Sequence, residues 1–221
     1  MHCKHRLFLL SPANLAGIRA GYVLKAGAAS DLARRLRQNG VTLGELFTFV
    51  SGLYFRGKLA YARAFSTPPF DMSGSFVITA SAGLLAPETI VTLDRLHEMA
   101  ANDIDAEEPR YRAPLERDCH LLLERLGGLC EIVLLGSIAT SKYVEPLLHI
   151  FQGRLLFPME FVGRGDMSRG GLLLRAVEAG KELVYAPVLN ATRHGPKPPK
   201  LVPSVVRRKP APFEDAAHGP E

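Results

Sequence analysis

Tryptophan is absent from this 221-residue chain, cysteine is scarce and long apolar runs are missing. The missing tryptophan decides nothing. Cys3, Cys119 and Cys130 are odd in number and match neither a disulfide framework nor zinc-ligand spacing. They read as reduced thiols in a cytoplasmic protein, with Cys130 opening an apolar strand. No run approaches the roughly 18 apolar residues of a membrane span, so no membrane partner is expected. At the start, basic residues precede only Leu7 to Leu10 before Ser11-Pro12. That apolar stretch is shorter than the about 7–15 residues of a signal peptide, and a buried first strand is the better reading.

Several motifs are also missing. No Gly-Lys-Ser/Thr follows a glycine loop, so a Walker loop is excluded, and the glycine spacing at 163–171 does not match the dinucleotide fingerprint. G-x-S-x-G is absent, which excludes that nucleophile elbow for Ser81. No H-x-x-x-H pair occurs, so neither metal nor other cofactor is expected.

What is present suits a globular chain: 47% hydrophobic and 22% charged residues, with length enough for a substantial core. The net charge of +5 permits a polyanionic partner without requiring one. Part of the excess sits late in the chain, on Lys197, Lys200, Arg207, Arg208 and Lys209. From His194 onward the sequence is rich in proline and charge and loses periodicity. Residues 194–221 therefore read as a disordered basic tail after a domain spanning 1–193.

Short apolar strands alternate with helices along that domain. Strands are expected at Arg6 to Leu10, Ser75 to Ala80, Cys130 to Leu135, Arg154 to Phe157 and Leu183 to Val188. Ser30 is placed to cap a helix over 31–38, and Thr42 with Glu45 has capping-box spacing. Gly52 breaks the next helical stretch before Lys58 to Phe65. Pro87-Glu88 opens a helix to about Ala101, and Leu115, Cys119, Leu122, Leu123 and Leu126 recur at helical spacing. The pattern predicts a single three-layer α/β domain, with a short, mostly parallel sheet of about four to five strands covered by helices on both faces. Ligands of such sheets bind beyond the carboxyl ends of the strands. Four small or polar segments fall there: Ser11 to Asn14, Ser81 to Gly83, Gly136-Ser137 and Gly163 to Gly171.

The densest of these is FPMEFVGRGDMSRGGLLLR, residues 157–175. Gly163, Arg164, Gly165, Ser168, Arg169 and Gly170 suit an anion cradle, because glycines allow close backbone approach and paired arginines suit phosphate or carboxylate. The competing reading is a tight strand-to-helix turn whose arginines pair with Asp166 and other acids. At 51–58, Tyr54 or Phe55 is placed to stack on a base while Arg56 or Lys58 meets phosphate. Against this stands a helix junction with Phe55 in the core and Lys58 solvated. Ser81 and Gly83 offer a ligand's polar edge two contacts, and Gly136 and Ser137 lead a hydroxyl-rich loop into a helix. Asp166, Glu160 and Asp94 are the carboxylates nearest to the expected cleft.

Three segments carry a resemblance: GLYFRGKLAYARAF at 52–65, VITASAGLLAPETIVTLD at 77–94 and IVLLGSIATSKYVEPLL at 132–148. With them the chain resembles bacterial domains of unknown function in the uracil-DNA-glycosylase-like α/β clan, which includes domains appended to tRNA-guanine transglycosylases. The first loop offers Asn14 but no carboxylate where glycosylases place a water-positioning group. The last strand ends in VLNATRHG rather than a His-Pro-Ser type loop. The resemblance thus implies a fold and a nucleobase context more than base excision.

The expected function is binding of a nucleotide or nucleic acid at the carboxyl edge of the sheet. Ser11, Tyr54, Arg56, Lys58, Ser81, Gly83, Gly136, Ser137 and the Gly/Arg loop would hold the ligand. N-glycosidase-type activity would fall to Asn14 or Asp166 orienting water. Two alternatives stand beside it: a non-catalytic nucleic-acid-binding module, and a hydrolase for small phosphates or carboxylates.

Overall fold

The computed structural model describes residues 5–126, 130–199 and 201. The expectations for Cys3, Lys200 and residues 202–221 of the tail lie outside the described residues.

The chain is a mixed α/β structure built on a six-stranded sheet. Strand β1, His5–Leu10, lies in its interior and is apolar on both faces from Leu7 onward. That composition fits a parallel strand covered twice. Strand β3, Ser75–Ile78, pairs with it on one side, and β6, Cys130–Leu135, on the other, both parallel. Strand β7, Leu155–Pro158, extends the sheet in parallel beyond β6. Two short antiparallel strands finish the edges: β4, Leu84–Leu85, beside β3, and β8, Tyr185–Pro187, beside β7. A separate two-stranded ladder joins β2, Val41–Thr42, to β5, Ile90–Val91.

Period-two alternation divides the core between the sheet's faces. Phe8 and Leu10 of β1, with Val133 and Leu135 of β6, pack against six helices. These are α1 (Ile18–Leu24), α2 (Asp31–Gln38), α3 (Leu43–Ser51), α4 (Leu53–Phe65), α5 (Leu93–Ala100) and α8 (Asp166–Glu178). Leu7 and Leu9, with Ile132 and Leu134, pack against α6 (Pro109–Leu126) and α7 (Ser141–Phe151). The stripe Leu115, Cys119, Leu122 and Leu126 is the buried face of α6.

Local chemistry sets several boundaries. The Ser30 hydroxyl accepts from Ala33 N–H at the start of α2, and Thr42 does the same for Glu45 at the start of α3. Gly52, at φ +62°, separates α3 from α4. The sheet has six strands where about four to five are expected, α4 starts at Leu53 rather than Lys58, and other expected elements differ too. The helix expected from Pro87 begins only at Leu93, because Ile90 and Val91 pair with Thr42 and Val41 and Thr92 then caps α5. Helix α8 begins at Asp166, inside the Gly163 to Gly171 segment, so the part from Asp166 to Gly171 is helical.

Helices α4 and α8 touch through glycine. A Cβ on Gly57 would lie 2.7 Å from the Gly170 carbonyl oxygen, and one on Gly170 would lie 2.8 Å from the Leu53 carbonyl oxygen. No side chain fits between the two backbones. This contact brings Tyr54 and Lys58 of α4 beside Asp166 and Arg169 of α8.

Candidate functional site

The connection leaving β1 runs to β3 on one side, and that leaving β6 runs to β7 on the other. The point of divergence between β1 and β6 is where open α/β sheets form a crevice. A cleft of about 830 Å³ lies there. The loop after β1 and the start of α1 line it from Ser11 to Arg19, with Ala80 beyond β3 and Ser137 beyond β6. Helix α3 adds Phe47, α4 adds Tyr54, α7 adds Lys142 and Tyr143, and α8 adds Asp166. The end of α5 and the acidic loop after it close the remaining side, and the Asn102 side chain donates to the Ala80 carbonyl at 3.3 Å.

Beneath the cleft sits Lys58, fully buried. Its Nζ donates to the backbone carbonyl of Ser11, and to Ser11 Oγ at 2.9 Å. The ammonium lies 4.3 Å from the centre of the Tyr54 ring and 5.0 Å from that of Phe55. Burial pushes the amine down to about 7, opposed by the negative charge of Asp166 and assisted by the positive charge of Arg169. Arg169 is itself buried. Its guanidinium donates twice to the Phe161 carbonyl and lies 3.5 Å from Asp166.

Tyr54 is 5% exposed, lines the cleft, and its hydroxyl has no hydrogen-bond partner among the described residues. Burial pushes its pKa up and so suppresses ionisation, against the lowering effect of Arg169, and the phenol remains a donor. A buried hydroxyl without a partner costs stability and is worth retaining where a ligand completes it. Tyr54→Phe is therefore expected to change stability by less than about 1 kcal/mol in urea denaturation, since its hydroxyl makes no close hydrogen bond to a described residue. A larger drop would instead reveal a partner within the fold.

Of the residues singled out from the sequence, the structure gathers Ser11, Asn14, Tyr54, Ser137 and Asp166 along the cleft, with Lys58 and Arg169 behind its wall. Others lie elsewhere. Arg56 is exposed and outside the cleft, whereas Phe55 is in the core against Phe47. Gly83, at φ +67°, faces α6, where a Cβ would lie 2.1 Å from Asp118 Oδ2. Gly136 is buried against Ser11, and the Ser81 hydroxyl is buried without a partner among the described residues. Arg164 donates to the Glu160 carbonyl, to Ser168 Oγ and to the Pro199 carbonyl. Gly163 abuts the Pro196 carbonyl, Gly165 precedes α8, and Gly170 packs on α4. Arg164 and Ser168 thus tie the start of α8 to the segment around 196–199, and neither lines the cleft.

Sequence reasoning passed over Phe47, Asn102 and Asp103 as lining residues. The acidic run at 102–109 was its only signal, and nothing in that run shows that it folds back over the end of β3. Among the described residues no three His, Cys, Asp or Glu side chains are grouped to hold a metal ion. No helix among the described residues is long and apolar enough to cross a membrane. No family model, curated protein or solved structure matches this chain.

Proposed function

We propose that the chain is a single three-layer domain of the uracil-DNA-glycosylase-like clan that binds a nucleotide-like ligand, base first, at the carboxyl edge of its sheet. The observation that carries this reading is the cleft at the β1/β6 divergence. Its aromatic wall of Phe47, Tyr54 and Tyr143 suits a planar base, and the Tyr54 hydroxyl is an uncommitted donor. Arg19 and Lys142 are the lining cations open to a phosphate. Asp103, Asp105 and Asp166 line the same cleft, which favours a ligand of low charge over a long polyanion. In an enzymatic form of this reading, Asn14 or Asp166 orients the water that opens an N-glycosidic bond.

Titration of the full chain with nucleosides, mononucleotides and single- and double-stranded oligonucleotides across a salt series tests this. The expected result is saturable binding of nucleosides and mononucleotides, weakened at least about tenfold in Tyr143→Ala and nearly flat with salt. A steep salt slope with oligonucleotides, insensitive to Tyr143→Ala, would shift the reading to a non-catalytic nucleic-acid-binding module. Absence of binding to any of these ligands would end it.

A further inference from the structure

Ser11 sits at the carboxyl end of β1, on the cleft wall, and the buried amine of Lys58 stands 2.9 Å from its Oγ. Among the described residues no carboxylate forms an ion pair with that amine. A buried lysine held against a serine hydroxyl has two readings. One is a structural donor to the Ser11 carbonyl. The other is a base for the hydroxyl, in the arrangement known from serine–lysine hydrolases on several folds.

Three observations favour the base. The amine is fully buried, so its charged form is disfavoured and its neutral form is populated near neutral pH. The chain has glycine at 136, where a Cβ would stand 3.3 Å from Ser11 Oγ, so space is left beside the hydroxyl. The Tyr54 ring that covers Lys58 lines the same cleft and carries a hydroxyl with no close hydrogen bond to a described residue, near enough to Ser11 to interact with it and placed as a donor for the oxygen on which negative charge would develop.

We propose that Ser11 and Lys58 form a nucleophile–base pair that opens small carboxylic esters bound in the cleft. The hydroxyl hydrogen, now directed at the Leu135 carbonyl 3.3 Å away, turns to the neutral Nζ. The proton passes to Nζ as Oγ bonds to the acyl carbon and the carbonyl electron pair moves onto oxygen. Collapse breaks the bond to the alkoxy oxygen, which leaves as the alcohol with the proton from Nζ. Water then attacks the acyl-serine and gives its proton to Nζ. The carboxylic acid departs as that proton returns to Ser11 Oγ. The mixed-sign lining places no excess positive charge on the cleft, so an uncharged ester is the substrate class it fits.

The test is covalent labelling of the full chain by a fluorophosphonate, with the modified residue mapped by peptide mass, alongside turnover of p-nitrophenyl acetate. Labelling is expected at Ser11, with a rate rising about tenfold from pH 6 to pH 8 as Lys58 loses its proton. The groups that face Lys58 are Tyr54 on its own helix and Asp166 and Arg169 from α8. Lys58→Arg retains the donors to Ser11 but holds no neutral form in this range, and is expected to lower the rate at least 100-fold with circular dichroism unchanged. Labelling elsewhere, no labelling, or a flat pH profile in the wild type would overturn the pair, and that wild-type profile decides even if the variant does not fold. No nucleoside enters this assay, so failure of ligand titration leaves the pair standing and failure of labelling leaves the base site standing.

Discussion

Gly170→Ala is expected to cost the protein about 2–4 kcal/mol, and Gly170→Val to prevent folding, while Gly171→Ala one residue along stabilises it. A methyl at 170 would lie 2.8 Å from both the Leu53 carbonyl oxygen and the Tyr54 Cα, and both are backbone atoms that no rotamer change can clear. Helices α4 and α8 must then separate, which opens voids along a contact that runs through the core and costs more than the usual about 1–3 kcal/mol of overpacking. Helix propensity returns at most about 1 kcal/mol on replacing glycine by alanine. At Gly171 a methyl meets only a Leu201 side-chain carbon at 3.4 Å, so the propensity gain survives there. Urea midpoints of the two alanine variants, measured together, should move in opposite directions. Movement in the same direction would show that the helices are not held backbone to backbone.

Lys58→Met is expected to remove a rise in stability with pH. The folded chain holds the Lys58 proton with a pKa of about 7, whereas the unfolded chain holds it near 10.5. Between those values the unfolded state binds the extra proton, so wild-type stability climbs as pH rises and levels off below about 7. The slope approaches about 1.4 kcal/mol per pH unit within the window, larger than any exposed side chain would contribute. Methionine keeps much of the volume and carries no proton, so the variant's profile should be flatter from pH 7 to 9.5. Parallel profiles for the two proteins would place the ammonium in contact with water and remove its role as a base.

Much of the frame was legible because it depends on short-range chemistry. Ser30 and Thr42 cap the helices they precede, Gly52 breaks α3 from α4, and the apolar stripe of α6 is its buried face. What escaped depends on partners far away in the chain. Ile90 and Val91 look helical until they meet Thr42 and Val41. The arginines of the Gly/Arg segment look ready for an anion, but their guanidinium groups donate to the carbonyls of Glu160, Phe161 and Pro199. Backbone acceptors carry no mark in a sequence. The sequence offers Lys58 as a phosphate contact or a solvated cation, but the side chain is buried and no carboxylate among the described residues pairs with it. Its burial follows from the approach of Gly57 to Gly170, a property of two positions more than 100 residues apart.

The edge strands carry a consequence for behaviour at high concentration. β4 has two residues, and β8 has three and ends in Pro187. Each runs antiparallel to its neighbour, at the rim of a sheet whose long apolar strands would template aggregation if left bare. So short a rim, closed on one side by a proline that lacks an N–H, gives an incoming chain few ladder positions to copy. The fold therefore protects its most aggregation-prone sequences, LFLL and IVLL, by burying them at least one strand in from either rim.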